Sequence, residues 1–189
     1  MMPPKLTLFD LLRASQVQRW HILNTSRQQN MAEHSYMVAV ISLALHHFIH
    51  RPSPFELNEA EVMQLVVGAL FHDSPEIRTG DIPTPGKELI EKHAPVLMKE
   101  IDRALMPELP FVGGNVPEGL RRIIKMADII EAAHWIRNNG AGDFAEQVAE
   151  KCYRKVEDAV HNYGAAEWKD PVNKILDALG MPRFPDETP

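Results

Sequence analysis

The sequence has a single cysteine, Cys152, among its 189 residues. One cysteine excludes an internal disulfide, and it also excludes a zinc site built on paired cysteines. No uninterrupted apolar run approaches the ~20 residues that cross a bilayer, and the N-terminal stretch MMPPKLTLFD lacks the apolar core of a signal peptide. These absences predict a soluble, cytoplasmic protein without a membrane partner.

Positive charge is also scarce. Twenty lysines and arginines stand against 26 aspartates and glutamates, which gives a net charge of −6 and a pI near 5.8. An acidic surface does not attract DNA, RNA or an anionic membrane, so we expect no nucleic-acid partner. A small anionic substrate remains compatible with this charge, because a local basic pocket or a metal ion can hold it.

The sequence contains no convincing stretch in which apolar and polar residues alternate, whereas helical spacing recurs throughout. A chain of this length can bury one core. We therefore predict an all-α fold in which residues 1–189 form a single domain of six or seven helices. A helix start is predicted at Thr7, a short helix plus loop at 17–31, a loop at 76–86 and a loose tail after residue 180. The main predicted helices are about 32–50, 58–74, 87–106 with a break at Pro95, 117–138, 143–163 and 171–179.

The stretch LFHDSPEIRTGDIPTPGK, residues 70–87, places a His-Asp pair at the end of an apolar helix. His72 and Asp73 continue the stripe formed by Leu65, Val66 and Ala69, so both side chains should project from the buried face. A buried carboxylate without a partner is costly. Asp73 therefore needs a cation, a metal ion or several hydrogen-bond donors.

Two other predicted helices also place a histidine or an aspartate on their apolar face. His34 begins the apolar stripe of its helix, and Asp128 shares a stripe with Ile124 and Trp135. Two imidazoles and two carboxylates suit one divalent transition metal, such as Zn²⁺, Mn²⁺, Fe²⁺ or Co²⁺. On a six-coordinate ion they leave two places for water and substrate.

Each of these residues also has an ordinary structural interpretation. A single inward histidine is more often a hydrogen-bonded core residue than a ligand. Asp128 could be paired with Lys125 or Arg121 inside the core. The histidines at 46, 47 and 50 lie near a helix end, where cations are tolerated, and the pattern assigns them no ligand role.

The segment after the His-Asp pair holds further polar groups. Glu76 follows His72 by one turn, which is compatible with general acid/base work beside a metal and equally with a solvated glutamate at a helix end. The prolines at 83 and 85 restrict the backbone, so Asp81, Thr84 and Lys87 should be held in place. Thr84 fits a helix N-cap with proline at the first helical position, and such a terminus can also face an anion.

Four motifs in this order resemble the HD-domain metal-dependent phosphohydrolases: EHS (33–35), HDSPE (72–76), TGDIPTPGK (79–87) and KMAD (125–128). With the preceding pair Arg19-Trp20 and with Arg27, the sequence resembles more narrowly the YfbR-like 5′-deoxynucleotidases. The resemblance extends over about residues 17–135 and implies an HD-type helical bundle that binds a small deoxynucleotide and forms a homodimer or a higher homo-oligomer.

The resemblance also implies roles for individual residues. One divalent metal (Co²⁺, Mn²⁺, Zn²⁺ or Fe²⁺) would be the cofactor. Glu76 would handle a proton, and Asp81 would be a second active-site acid. Arg19 and Lys87 would contact the phosphate of the substrate, whereas Trp20 would lie beside the deoxyribose and help to exclude a 2′-hydroxyl. We also expect Thr84 to bind the substrate, because the helix N-terminus at which it lies can face an anion. The implied metal ligands are His34, His72, Asp73 and Asp128.

These features favour an enzyme that removes the 5′-phosphate of deoxyribonucleoside monophosphates. The first alternative is a deoxynucleoside triphosphate hydrolase, because close viral relatives of the subgroup cleave dATP to release the whole polyphosphate. A second alternative is a non-catalytic nucleotide-binding module. A two-metal phosphodiesterase ranks last, because the pattern shows no further inward His/Asp pair.

Overall fold

The computed structural model describes residues 5–50, 58–105, 116–162 and 166–185. Its described residues form nine α-helical segments, of which seven have nine residues or more, in agreement with the all-α prediction of six or seven helices. The single-domain organisation stays a prediction. The segments are α1 (Leu8–Leu11), α2 (Met31–His50), α3 (Glu59–Phe71), α4 (Glu76–Thr79), α5 (Thr84–His93), α6 (Leu97–Leu105), α7 (Glu118–Asn139), α8 (Asp143–Asn162) and α9 (Ala166–Ala178).

A two-stranded antiparallel sheet precedes α2. Strand β1 (Gln18–Arg19) pairs with β2 (Gln29–Asn30), and Arg19 lies opposite Gln29. The predicted helix plus loop at 17–31 is therefore wrong. Two residues per strand are too short to produce the alternating pattern by which a strand is recognised in sequence.

The core forms where α2 and α7 pack against each other and against α3, α8 and α9. Val38 and Leu45 of α2, Leu65 of α3 and Ile130 of α7 are fully buried there. Each such side chain contributes about 1.5–3 kcal/mol through its removal from water. At Gly68 a Cβ would lie 2.8 Å from the side chain of Ile124, so the missing side chain allows α3 to approach α7 closely.

Two of the predicted helix starts, at Thr7 and at residue 58, are confirmed by their caps. Thr7 Oγ1 accepts a hydrogen bond from the Asp10 backbone, and the Asp10 carboxylate accepts one from the Thr7 backbone. Asn58 caps α3 by accepting from the Glu61 N–H at 3.3 Å. Helix α3 ends at Phe71, earlier than predicted, because His72 to Pro75 already form a turn.

The segment predicted as a loop at 76–86 contains α4, and α5 begins within it. The expected N-cap at Thr84 is wrong: Pro83 is the cap, Thr84 is the first helical residue, and no side chain caps this end. Proline at the second helical position costs no hydrogen bond, because the first four N–H groups of a helix have no partner within it. The break predicted at Pro95 is confirmed, since α5 ends at His93 and α6 begins at Leu97.

The C-terminal part differs more from the prediction. Helix α9 begins at Ala166 instead of residue 171, and Pro171 lies inside it. Burial of Trp168 and Val172 on one face stabilises the extra turn despite the lost hydrogen bond. The tail is not loose over 181–185, because Met181 and Phe184 are buried in the core. The sequence also predicts a loop over ELPFVGGNVPEG, residues 108–119, and most of this loop lies outside the described residues, as does the remaining tail.

Among the described helices, none combines the length and the apolar character that a membrane span requires.

Candidate active site

Three helices bring the four predicted metal ligands to one place. His34 lies in the first turn of α2, Asp128 lies in the middle of α7, and His72 and Asp73 lie in the turn that ends α3. One ligand atom from each of the four lies within 4.8 Å of the others. The packing of α2, α3 and α7 against one another therefore creates the cluster.

The distances within the cluster fit a bound cation. His34 Nε2 lies 3.4 Å from Asp128 Oδ1 and 3.5 Å from Asp73 Oδ2, and His72 Nε2 lies 3.1 Å and 3.9 Å from Asp73 Oδ2 and Asp128 Oδ1. Neighbouring ligand atoms on one ion with bonds of about 2.1 Å are roughly 3.0–3.4 Å apart. Both Nε2 atoms are buried and have no hydrogen-bond partner among the described residues. The donor set therefore fits one divalent metal.

The other ring nitrogen of each histidine is already engaged. His72 Nδ1 lies 2.8 Å from the carbonyl oxygen of Ala69, and His34 Nδ1 lies 2.6 Å from Oε2 of Glu131. Carbonyl and carboxylate oxygens accept, so each Nδ1 carries the proton and each Nε2 keeps a lone pair for a metal. Such outer contacts fix the ring orientation of metal-binding histidines.

Glu131 belongs to a buried chain of hydrogen bonds that the sequence analysis missed. Its Oε1 accepts from Gln29 Nε2 at 2.6 Å, and Gln29 Oε1 accepts from Trp20 Nε1 at 2.8 Å. Trp20, a predicted substrate contact, is thereby connected to His34, a predicted ligand. The sequence contained one indication of this role: Glu131 follows Asp128 by three residues and therefore lies on the same inward face of the helix.

Opposite charges dominate the electrostatics of the cluster. Burial opposes the ionised forms of all four groups, but the mutual attraction is larger. The pKa values of Asp73 and Asp128 are lowered, and those of His34 and His72 are raised. The carboxylates thus draw positive charge into the site, which a metal ion can supply in place of protons.

Asp128 also has the ion pair that the sequence analysis offered as an alternative. Lys125 Nζ lies 2.8 Å from Asp128 Oδ2. The other oxygen of Asp128 faces His34, so the ion pair and the ligand cluster coexist on one carboxylate.

Arg19 enters the site from β1. Its Nη1 donates to Asp73 Oδ2 at 3.3 Å and lies 3.8 Å from Glu76 Oε2. The buried Nε atom of Arg19 has no hydrogen-bond partner among the described residues. This guanidinium therefore has a donor left for an anion beside the metal cluster.

Glu76 lies at the start of α4 and is buried, so the interpretation as a solvated helix-end residue is wrong. Its Oε1 accepts from Lys87 Nζ at 2.7 Å. Burial and the nearby Asp73 carboxylate raise the pKa of Glu76 to about 7, although Lys87 and Arg19 oppose the rise. A carboxyl group with this pKa can both take and give a proton near neutral pH.

Asp81 and Thr84 are not members of the four-residue cluster. The Asp81 carboxylate acts electrostatically on Arg19 and Lys87 and lies 4.0 Å from His21 Nδ1. Thr84 is exposed, and it does not line the cavity that adjoins His72 and Glu76. The roles predicted for both residues stay predictions.

Trp20 is held in a constrained geometry. Its φ of 60° lies in the left-handed region, which is costly for a bulky side chain. Its ring stacks on Trp135 with centroids 5.7 Å apart and an interplanar angle of 5°, while Arg27 lies 5.5 Å above the same Trp135 ring. Stacking and the hydrogen bond to Gln29 together fix the indole.

A cavity of about 200 Å³ adjoins His72 and Glu76. Helices α5 and α6 contribute residues to its wall that the sequence analysis did not single out. Burial raises the pKa of one of them, Asp102, an effect that Lys87 opposes. No motif marked these positions, which read in sequence as parts of ordinary helices. They are Glu91, Met98, Ile101 and Asp102.

The chain is similar to several known proteins. The family model of the YfbR-like 5′-deoxynucleotidases matches residues 8–178. A dATP triphosphohydrolase of Salmonella phage PMBT28 is 34% identical over 142 residues, which cover 74% of this chain and 71% of the phage protein. A 5′-deoxynucleotidase of Pasteurella multocida is 27% identical over 184 residues, which cover 88% of this chain and 89% of that protein.

A solved structure is also similar. It is described as the cyanophage S-2L HD phosphohydrolase (DatZ) bound to dA and one catalytic Zn²⁺ ion. The two chains are 27% identical with a TM-score of 0.78, over 94% of this chain and 99% of that one.

Proposed function

Because the chain belongs to the YfbR-like 5′-deoxynucleotidase family, we propose that it is a metal-dependent enzyme that removes the 5′-phosphate from deoxyribonucleoside monophosphates. The observation that carries the proposal is the pair of buried Nε2 atoms, on His34 and His72, that face the carboxylates of Asp73 and Asp128 without hydrogen-bond partners among the described residues. These four residues would hold one divalent transition metal, of the kind named for the cyanophage relative. When bound, such a metal polarises a phosphoryl oxygen and lowers the pKa of a coordinated water.

The protein's own residues would then handle the proton. Glu76 lies beside the cluster with a pKa near 7, so its carboxylate can accept a proton from the attacking water. The resulting acid can donate that proton to the departing 5′-oxygen. Lys87, 2.7 Å from the Glu76 carboxylate, favours the ionised form at the start of the reaction.

Arg19 and Trp20 would select the substrate. The guanidinium of Arg19 would hold phosphate oxygens through its planar fork. The fixed indole of Trp20 would pack against the deoxyribose, where a 2′-hydroxyl would meet carbon atoms and lose its hydrogen bonds. Asp81 would act as a second active-site acid. Thr84, in the first turn of α5, would bind the substrate.

The test is a substrate panel of deoxynucleoside and nucleoside mono- and triphosphates, assayed with Co²⁺ or Mn²⁺. The proposal predicts inorganic phosphate from deoxynucleoside monophosphates and much less from ribonucleotides. If no member of the panel releases phosphate or polyphosphate, the proposal is wrong.

Hydrolysis of a deoxynucleoside triphosphate to the deoxynucleoside and tripolyphosphate is the second candidate. It is favoured by the similarity to the phage dATP triphosphohydrolase. Against it, the guanidinium of Arg78, a cation that could bind a longer phosphate chain, donates a hydrogen bond to Asp10 Oδ2 at 2.9 Å. Release of tripolyphosphate from dATP in the same panel would establish the second candidate.

A non-catalytic nucleotide-binding module would not need Glu76. A Glu76→Gln variant keeps the shape of the side chain but cannot accept the proton. We expect its turnover to fall about 10²–10⁴-fold, the usual contribution of general acid/base catalysis. No turnover by either the parent or the variant would favour the binding module.

We also propose that the protein forms a homo-oligomer and is located in the cytoplasm, where nucleotides are turned over. Tyr36, Val40 and Leu43 recur at helical spacing on α2 and are exposed, which supports an apolar contact between copies of the chain. Light scattering should give at least twice the chain mass of 21.4 kDa. A Val40→Glu variant should give the single-chain mass, and a wild-type monomer would contradict this part of the proposal.

A further inference from the structure

A second cluster of metal-binding side chains lies where α2 ends and α3 begins. His46 and His50 stand four residues apart on α2, and Glu61 lies in the first turn of α3. One ligand atom from each of the three lies within 4.8 Å of the others. Two histidines at this spacing project from the same helix face and are a common pair of metal ligands.

The buried member of the cluster has an unsatisfied nitrogen. His46 is only 6% exposed, and its Nε2 has no hydrogen-bond partner among the described residues. This atom lies 3.7 Å from Glu61 Oε1, which is too long for a hydrogen bond. A buried polar nitrogen without a partner is unfavourable, so the arrangement calls for a group between the two side chains.

The geometry is suited to an ion in that position. Ligand atoms on a tetrahedral ion with bonds of about 2.0–2.1 Å lie roughly 3.3 Å apart, close to the observed separation. The imidazole rings of His46 and His50 have centroids 4.6 Å apart, so both reach the same region. The backbone of Glu61 is fixed, because its N–H donates to the Asn58 cap.

We propose that His46, His50 and Glu61 form a second, structural site for one divalent transition cation of the zinc class. Two imidazoles and one carboxylate are a donor set that Zn²⁺ and its neighbours favour over Mg²⁺ or Ca²⁺. His50 is exposed, which gives the ion a path from solvent and leaves the remaining coordination place to water.

This site is separate from the candidate active site. His34 and His46 are twelve residues apart on one helix, which corresponds to about 18 Å along its axis. The ion would tie the end of α2 to the start of α3. These two helices carry His34 and, just beyond Phe71, the pair His72 and Asp73, so the tie would hold the helices that position three active-site side chains.

The test is metal stoichiometry on the tag-free full-length chain. Apoprotein is equilibrated with Zn²⁺ alone, unbound metal is removed, and zinc per chain is measured by mass spectrometry. We expect two ions in the wild type and one in His50→Ala, an exposed position where loss of folding is not expected. His47→Ala is the matched control, because His47 is also exposed and its ring packs against Phe48. It should retain two ions.

A second variant shows whether the loss of an ion is specific to the substitution of His50 or is shared by the other proposed ligands. Glu61→Gln keeps the size of the side chain, and it should also bind one ion. The zinc-induced rise in the thermal midpoint should be smaller in both variants than in His47→Ala. One ion in the wild type that both His50→Ala and Glu61→Gln retain, or two ions in both variants, would overturn the proposal without bearing on the active site.

Discussion

The Nδ1 atom of His34 lies 2.6 Å from Oε2 of Glu131, and both side chains are fully buried. This contact fixes the tautomer of His34, so that Nε2 faces Asp73 and Asp128 with its lone pair. Glu131 itself is held by Gln29, which also binds Trp20. One hydrogen-bonded chain therefore sets the orientation of a predicted ligand and of a predicted substrate contact.

Glu131→Gln should weaken metal binding at the candidate active site. The amide keeps the size of the side chain but loses the charge that holds the Nδ1 proton of His34. We expect the affinity to fall about 10–100-fold, as for other outer contacts of metal ligands. Titration with Co²⁺ would measure it, with the exposed Glu118→Gln on the same helix as control. Equal affinities in the two variants would contradict this role of Glu131.

Lys87→Met should move the pH profile of kcat/KM. Lys87 lowers the pKa of Glu76, so its removal should raise that pKa. If Glu76 must be ionised to accept a proton, the acidic limb of the profile moves to higher pH, by about 1 unit or more. Lys92→Met, an exposed change on the same helix, should leave the limb in place. A limb that stays fixed in Lys87→Met would exclude Glu76 as the base.

Trp20→Ala should reduce discrimination against ribonucleotides. The variant opens space beside the sugar, so a 2′-hydroxyl no longer loses contact with water. The ratio of kcat/KM for a deoxynucleotide to that for its ribonucleotide should fall at least about tenfold. Phe144→Ala, at an exposed aromatic residue on α8, is the control. An unchanged ratio in Trp20→Ala would show that the indole does not determine the preference for deoxynucleotides.

Leu65→Ala should destabilise the protein. Leu65 is 0% exposed and lies on the stripe of α3 that leads to His72. Removal of this side chain should lower the free energy of unfolding by about 2–5 kcal/mol. Met63→Ala on the same helix, 63% exposed, should change it by no more than about 0.5 kcal/mol. Denaturant unfolding would compare the two, and similar losses would argue against this placement of the helix face.

Helical periodicity made much of this arrangement predictable. The inward positions of His34, His72, Asp73 and Asp128 follow from the residues three, four and seven places away on their own helices. Such a pattern predicts which face of a helix is buried. A charged residue on that face needs an ion or a hydrogen-bond partner, so its position indicates a site. The exact contacts required the packing of α2, α3 and α7.

Other features could not be found by the same reasoning. Gln29 and Glu131 meet across 102 residues of sequence, and each has an unremarkable local pattern. The strand that carries Arg19 has two residues and therefore no periodicity. His46 and His50 were recognisable as a pair at helical spacing, but the position of Glu61 beside them depends on how α3 packs against α2.

Metal removal tests the central claim most directly. The protein is stripped with a chelator, and hydrolysis of a deoxynucleoside monophosphate is followed while Co²⁺ is added back. The account predicts no hydrolysis by the stripped wild type, recovery on addition of the metal, and no recovery in a folded Asp128→Asn variant. Full activity of the stripped protein, or recovery in Asp128→Asn equal to that of the wild type, would contradict it.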